Sequence, residues 1–305
     1  MTTLVATSVV RGSQQGESHG GIYLVNLDDG EIKQVVDWNT MDIDWQGRGW
    51  DRGLRGIAFD GERVYVAASD ELFVFDREFQ VLASYRSPYL AHCHEISCFK
   101  RRLYLSSTGF DSLLGFDLDR HHFSWGLHIA AGNDGYTAAA FDPSGTHGPE
   151  AVNNFHINNV FAQESGLYFS GLRTRGLLKF DGRRVRKTVI LPRGVHNARP
   201  FDGGVLFNDS EADAVRFVTP ERQVRFAVPR YDIDALTHTD FADKRLARQG
   251  FGRGLCVLGP KQIAAGSSPS TIAVHDLELG TTTATHTITR DIRNAIHGLE
   301  IWPYQ

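Results

Sequence analysis

Four histidines and two arginines occupy equivalent places in a repeating sequence, and those side-chain types can hold a metal ion or bind an anion. In chain order they are Arg55, His94, His156, His196, Arg253 and His297. With 13 histidines in 305 residues, chance would seldom place four on six equivalent positions. Neutral imidazoles converging on one point suit Fe, Zn, Mn, Ni or Cu. Guanidinium groups offer a planar, permanently charged fork to a carboxylate or phosphate. His94, His156, His196 and His297 are therefore the expected ligands of a divalent transition metal, with His92 as a stand-in for His94. Arg55 and Arg253 are the expected clamp on a small acidic substrate that the metal polarises.

Neighbouring residues extend the set. Glu95 and Glu300 are candidate general bases, with a structural salt bridge as the plainer role for either. Asn158, Asn197, Asn208 and Arg173 are candidate substrate contacts. Asp111, Asn208, Asp209 and Glu211 are candidates for orienting the histidines from behind.

The elements that must position these residues are strands. Each anchor opens a unit with a short first strand, a glycine-containing turn, an apolar second strand and a third strand that often ends in Phe-Asp. Second strands read Val64-Tyr65-Val66, Leu103-Tyr104-Leu105, Leu167-Tyr168-Phe169, Val205-Leu206-Phe207 and Gln262-Ile263-Ala264. The matching third strands are residues 72–76, 113–117, 177–181, 214–217 and 272–276. Segments rich in Val, Ile, Phe, Tyr and Leu and bounded by Gly, Asp, Asn and Ser read as strands. His297 opens a sixth unit whose remaining strands lie at the other end of the sequence, in Leu4-Val5-Ala6, Ile22 to Val25 and Ile32 to Trp38. The expected fold is all-β: a six-bladed β-propeller formed by one domain over residues 1–305, with the first and last strands sharing the closing blade.

Three connections open on the same face as the anchors and are long: 39–53, 120–155 and 229–252. They carry Trp45, Trp50, Asp51, Tyr136, Tyr231, Asp232, Asp234 and Phe251. Long loops in a compact domain serve as lids or binding loops; the plainer reading makes these a plug. The best helix candidate, 240–249, is short. His19, His121, His122, His128, His147, His238, His275 and His286 fall outside the anchor set, and most read as surface residues. Cys93 reads as core.

Composition narrows the function classes. The formal net charge is −4 with no basic block, which argues against nucleic acid. Cys93, Cys98 and Cys256 are too few for a disulfide framework and fit a reducing cytoplasm. No leader pattern or membrane-spanning apolar run is expected. Nucleophile-elbow, Walker, dinucleotide-binding and HExxH patterns are absent from the sequence.

The closed six-unit pattern resembles the superfamily of gluconolactonases, strictosidine synthases and related lactonases, over nearly the whole chain. That resemblance implies the propeller fold. Many of those proteins bind a divalent cation through acidic and amide residues. Here the equivalent anchors are His and Arg, so neither a calcium site nor lactonase activity is carried over. Four histidines on inner strands are also similar, as a site, to the iron centre of carotenoid-cleaving oxygenases. The leading expectation is a metal-dependent lyase, hydrolase, isomerase or oxygenase acting on a small acidic molecule. The alternatives are a metal-free enzyme with histidine acid–base groups and a non-catalytic binding propeller. Unequal anchor spacings, 39 residues from Arg55 to His94 against 62 from His94 to His156, favour a specialised enzyme.

Overall fold

The computed structural model describes residues 2–14, 16–40, 53–133, 135–241 and 247–304. Trp45, Trp50, Asp51 and the middle of the 240–249 helix candidate lie outside the described residues. The chain is a six-bladed all-β propeller built of six antiparallel sheets. Among the described residues no helix is long and apolar enough to cross a membrane.

Contacts group the chain into two compact units. The first comprises residues 1–55 and 202–305. In it β1 (Thr3–Val10), β2 (Gly21–Asn26) and β3 (Ile32–Asp37) are joined by β25 (Asn294–Ile301) in the order β25-β1-β2-β3. The expected sharing of a blade between the first and last strands is thus present. Leu4 pairs with Ile301 and Val10 with Asn294, with a bulge opposite Thr7. The same unit holds the sheet of β21 (Leu255–Val257), β22 (Gln262–Ser267), β23 (Thr271–Asp276) and β24 (Thr281–Thr287). It also holds β18 (Gly204–Asp209), β19 (Ala214–Val218) and β20 (Gln223–Ala227). Leu4, Ala6, Val25, Cys256, Ala264, Ile272, Ile296 and Leu299 pack into one of its cores. Both faces of these strands are buried, so they read as apolar runs more than as alternation.

The second unit comprises residues 56–201. It contains the sheet β4 (Ile57–Asp60), β5 (Arg63–Ala68), β6 (Glu71–Phe75) and β7 (Val81–Arg86). Next come β8 (Ile96–Phe99), β9 (Arg102–Ser107), β10 (Ser112–Asp117), β11 (His122–Gly132) and β12 (Gly135–Phe141). β13 (Ile157–Gln163), β14 (Gly166–Gly171), β15 (Gly176–Phe180) and β16 (Val185–Ile190) form a third sheet. β17 (Val195–Phe201) heads the sheet β17-β18-β19-β20. Cys93 is fully buried in a core with Tyr65, Leu72, Leu105 and Phe116.

One connection departs from expectation. Residues 120–155 are not a continuous loop: β11 and β12 form a hairpin that gives the blade a fifth strand. The cause is alternation, since Phe123, Leu127 and Ile129 are buried along β11. Gly132 pairs with Gly135 where the two strands meet. In the 229–252 connection, Leu236 and Ala247 bury against Ile292, with Tyr231 and Phe241 alongside. The described part of that connection is thus packed against its own unit.

Candidate functional site

In the second unit, His94 precedes β8 and His156 precedes β13. Their imidazoles meet edge to face, ring centroids 5.4 Å apart. His94 Nδ1 lies 2.7 Å from the His92 carbonyl oxygen and 3.0 Å from Thr108 Oγ1. A carbonyl only accepts, so Nδ1 carries the proton. Thr108 uses its own hydroxyl proton on the Ile157 carbonyl, 2.6 Å away. His156 Nδ1 is 3.1 Å from Asn153 Oδ1. Arg173 Nη2 donates to the same Oδ1 at 3.0 Å, which fixes it as an acceptor and places a proton on His156 Nδ1 as well. In their neutral forms both rings therefore carry the lone pair on Nε2.

The backbone that presents His156 is strongly held. Asp111 is fully buried. Its carboxylate accepts from the backbone N–H groups of Asn154, Phe155 and Ile157. His156 itself has φ +56°, an uncommon setting for a non-glycine residue. Gly171 lets the neighbouring strand approach: a Cβ there would lie 2.5 Å from the carbonyl oxygens of both Phe155 and His156. Glu95 accepts a hydrogen bond from Asn197 Nδ2 although 102 residues separate them. His196 is buried on β17, and Asn158 Nδ2 donates to the Val195 carbonyl beside it at 3.1 Å. The buried Asn158 Oδ1 has no hydrogen-bond partner among the described residues.

In the first unit, Arg253 Nη1 lies 3.4 and 3.3 Å from the two ring nitrogens of His297. Its guanidinium also covers the Phe251 ring, 4.7 Å from the centroid. Arg11 and Arg248 approach the same ring at 4.8 and 5.1 Å. Thr7 Oγ1 donates to the Arg55 carbonyl and accepts from Gly298 N–H at 2.8 Å. It thereby fixes the backbone beside two anchors. Gly266 plays the part of Gly171 here, since a Cβ would meet the Arg253 carbonyl oxygen at 2.5 Å. Asn208 is fully buried and donates to the Gly254 carbonyl at 3.1 Å. Glu300 lies on β25 opposite Val5 and is half-buried.

Several expected residues thus act on backbone. Asn158, Asn208 and Arg173 hold anchor segments in place, and Arg173 additionally donates to the Asn153 and Asn154 carbonyls. Asp111 does support a histidine from behind, through main-chain N–H groups. Thr7, Thr108, Asn153 and Phe251 were not singled out for these roles. The one available signal was the recurrence of short polar residues where the second strand meets its turn. Among the described residues no three His, Cys, Asp or Glu side chains converge as a metal-ligand group; what the second unit does gather is a histidine pair.

Two histidines read as surface residues are buried. His19 is fully buried, with Nδ1 on Ser13 Oγ. His275 stacks on Phe226, ring centroids 4.4 Å apart, with Nδ1 3.0 Å from Thr282 Oγ1. Burial pushes its imidazole down to about 4.

No known protein family matches the chain, and no curated protein is similar to it in sequence. Solved structures are similar in fold. A protein of unknown function from Bacteroides caccae matches with TM-score 0.61 at 10% identity, over 100% of both chains. A chain of a nidogen/laminin complex matches with TM-score 0.60 at 12% identity, over 99% of this chain and 98% of that one. A catalytically inactive histidine-to-alanine form of virginiamycin B lyase from Staphylococcus aureus, with quinupristin, matches with TM-score 0.50 at 10% identity, over 88% and 79%. At these identities the likeness shows the fold alone.

Proposed function

We propose that the chain is an enzyme that moves protons on a small acidic molecule, an elimination or isomerisation, with His94 and His156 as its acid–base pair. The observation that carries this reading is their edge-to-face contact with both Nδ1 atoms tied to oxygen acceptors. An imidazole held at Nδ1–H offers Nε2 as a base. When Nε2 takes a proton, the acceptor on Nδ1 steadies the imidazolium. Two such rings side by side let one start neutral and the other start protonated, so one removes a proton and the other delivers one. A positioned acid or base of this kind contributes about 10²- to 10⁴-fold. Glu95, restrained by Asn197, is the nearest carboxylate in sequence to the pair and the second candidate base.

The acidic class of substrate is carried over from the sequence, where arginines stand at two of the six anchors, Arg55 and Arg253. In the first unit Arg253 lies against His297 and Phe251, with Arg11 beside the same ring. A guanidinium fixed by stacking is suited to a carboxylate or phosphate. The metal expected on His94, His156, His196 and His297 lacks an assembled donor set among the described residues. Three free thiols support a reducing compartment.

The test is proton exchange in heavy water. Tag-free protein is incubated with a panel of small hydroxy, keto and phospho acids, and loss of carbon-bound proton signal is followed by NMR. The expected result is exchange or elimination on one acid, lost in His94→Ala and His156→Ala and unaffected by EDTA. Activity that needs stoichiometric bound metal, or that survives both substitutions, would overturn the reading.

A further inference from the structure

The second unit has a second polar cluster at the ends of its strands remote from His94 and His156. β4 runs away from the anchor Arg55, and Asp60 pairs with Arg63 across the turn that follows. His121 sits in the turn between β10 and β11, whereas Thr108, which touches His94, lies at the other end of β10. These remote ends enclose a cleft of about 110 Å³. Its wall carries the polar Arg63, Tyr65, Tyr85 and His121, with Val74 beside Tyr65 on the paired strand and the half-exposed Leu82 also lining it.

The hydrogen bonding gives this wall a direction. Arg63 Nη1 is 2.8 Å from His121 Nε2. Guanidinium only donates, so Nε2 accepts and the ring proton is on Nδ1. Nδ1 lies 3.2 Å from the Tyr85 hydroxyl oxygen and donates to it. The Tyr85 hydroxyl proton is left over, with no acceptor among the described residues. Tyr85 cannot swing away, because its ring packs on Phe116 and His121 at centroid distances of 4.9 and 6.0 Å. Beside the cleft, Arg101 donates to both oxygens of Asp60, at 2.6 and 2.7 Å, and also binds Asp119.

We infer that this cleft binds a short-chain carboxylate, its acid group on Arg63 and the Tyr85 hydroxyl and its carbon tail against Val74 and Leu82. Size sets the class. An apolar cavity of roughly 150 Å³ takes benzene, so this one suits an acid of roughly three or four carbons. Inorganic phosphate offers the charge without the tail. The site is independent of the histidine pair and stands whether or not that pair is catalytic.

Isothermal titration of the full chain with sodium propionate tests it, with inorganic phosphate as the comparison. Propionate should bind with a millimolar Kd and phosphate about tenfold more weakly. Arg63→Met should weaken propionate about tenfold or more. So should Leu82→Glu, which places a carboxylate at an exposed position that folding does not depend on. His156→Ala should bind propionate as the unaltered chain does. Absence of binding at high millimolar propionate, or binding unchanged in both Arg63→Met and Leu82→Glu, overturns the proposal.

Discussion

The imidazoles of His94 and His156 stand 5.4 Å apart at an interplanar angle of 63°, each with its Nδ1 proton committed to an oxygen. Long-range proton–nitrogen NMR at neutral pH should therefore find the neutral form of both rings with hydrogen on Nδ1 and a bare Nε2. Asn153→Ala removes the acceptor of His156 alone and should give that ring a tautomer mixture while His94 keeps its own. A neutral ring with its hydrogen on Nε2 and a bare Nδ1 in the unaltered chain contradicts the arrangement.

Asp111 accepts three backbone N–H groups from the segment that carries His156. Asp111→Asn keeps one acceptor oxygen and turns an amide N–H₂ toward donors. The cost should be about 2–4 kcal/mol in urea unfolding. The His156 tautomer should be released in the same variant, because the loop is no longer held.

Thr7→Val leaves the Gly298 N–H and the Arg55 carbonyl without their shared partner in a buried place. A loss of roughly 2–4 kcal/mol is expected. Thr7→Ser keeps the hydroxyl and should recover most of it. Equal unfolding midpoints for the two variants would show that the hydroxyl contributes nothing.

His275 is buried against Phe226 and its imidazole is lowered from 6.5 to about 4. The unfolded chain then binds a proton at a higher pH than the folded one. The contribution of the neutral ring is fully present above pH about 6.5 and falls away as pH drops toward about 4. A decline of a few kcal/mol across that window is expected. His275→Phe removes the titration and should flatten this part of the stability–pH curve, read from urea unfolding at several pH values.

The strands were legible because their apolar residues repeat and are bounded by turn residues; even the pairing of Leu4-Val5-Ala6 with the His297 strand could be read from what each end lacked. The β11–β12 hairpin was missed because the repeat template stopped at a fourth strand, although Phe123, Leu127 and Ile129 alternate. His275 was misread because it was judged by type; it follows Val274 in a strand buried on both faces, with a phenyl ring across from it. The anchors were legible as equivalent positions. Their supports were not: Thr7, Thr108 and Asn153 are ordinary residues whose roles exist only once strands distant in sequence are side by side. Asn158 and Asn208 point the same way, for an amide beside an anchor is as useful to a backbone carbonyl as to a substrate.

The bulge at His297 and Gly298 is bonded to Thr7 across 291 positions of sequence. During synthesis β1 therefore emerges with one edge unpaired and stays so while the other blades are made. Its row of open N–H and C=O groups is a template for any other extended strand, and so long a wait makes the contact slow to form. Until β25 is made, that edge of β1 lacks the strand that covers it in the folded chain.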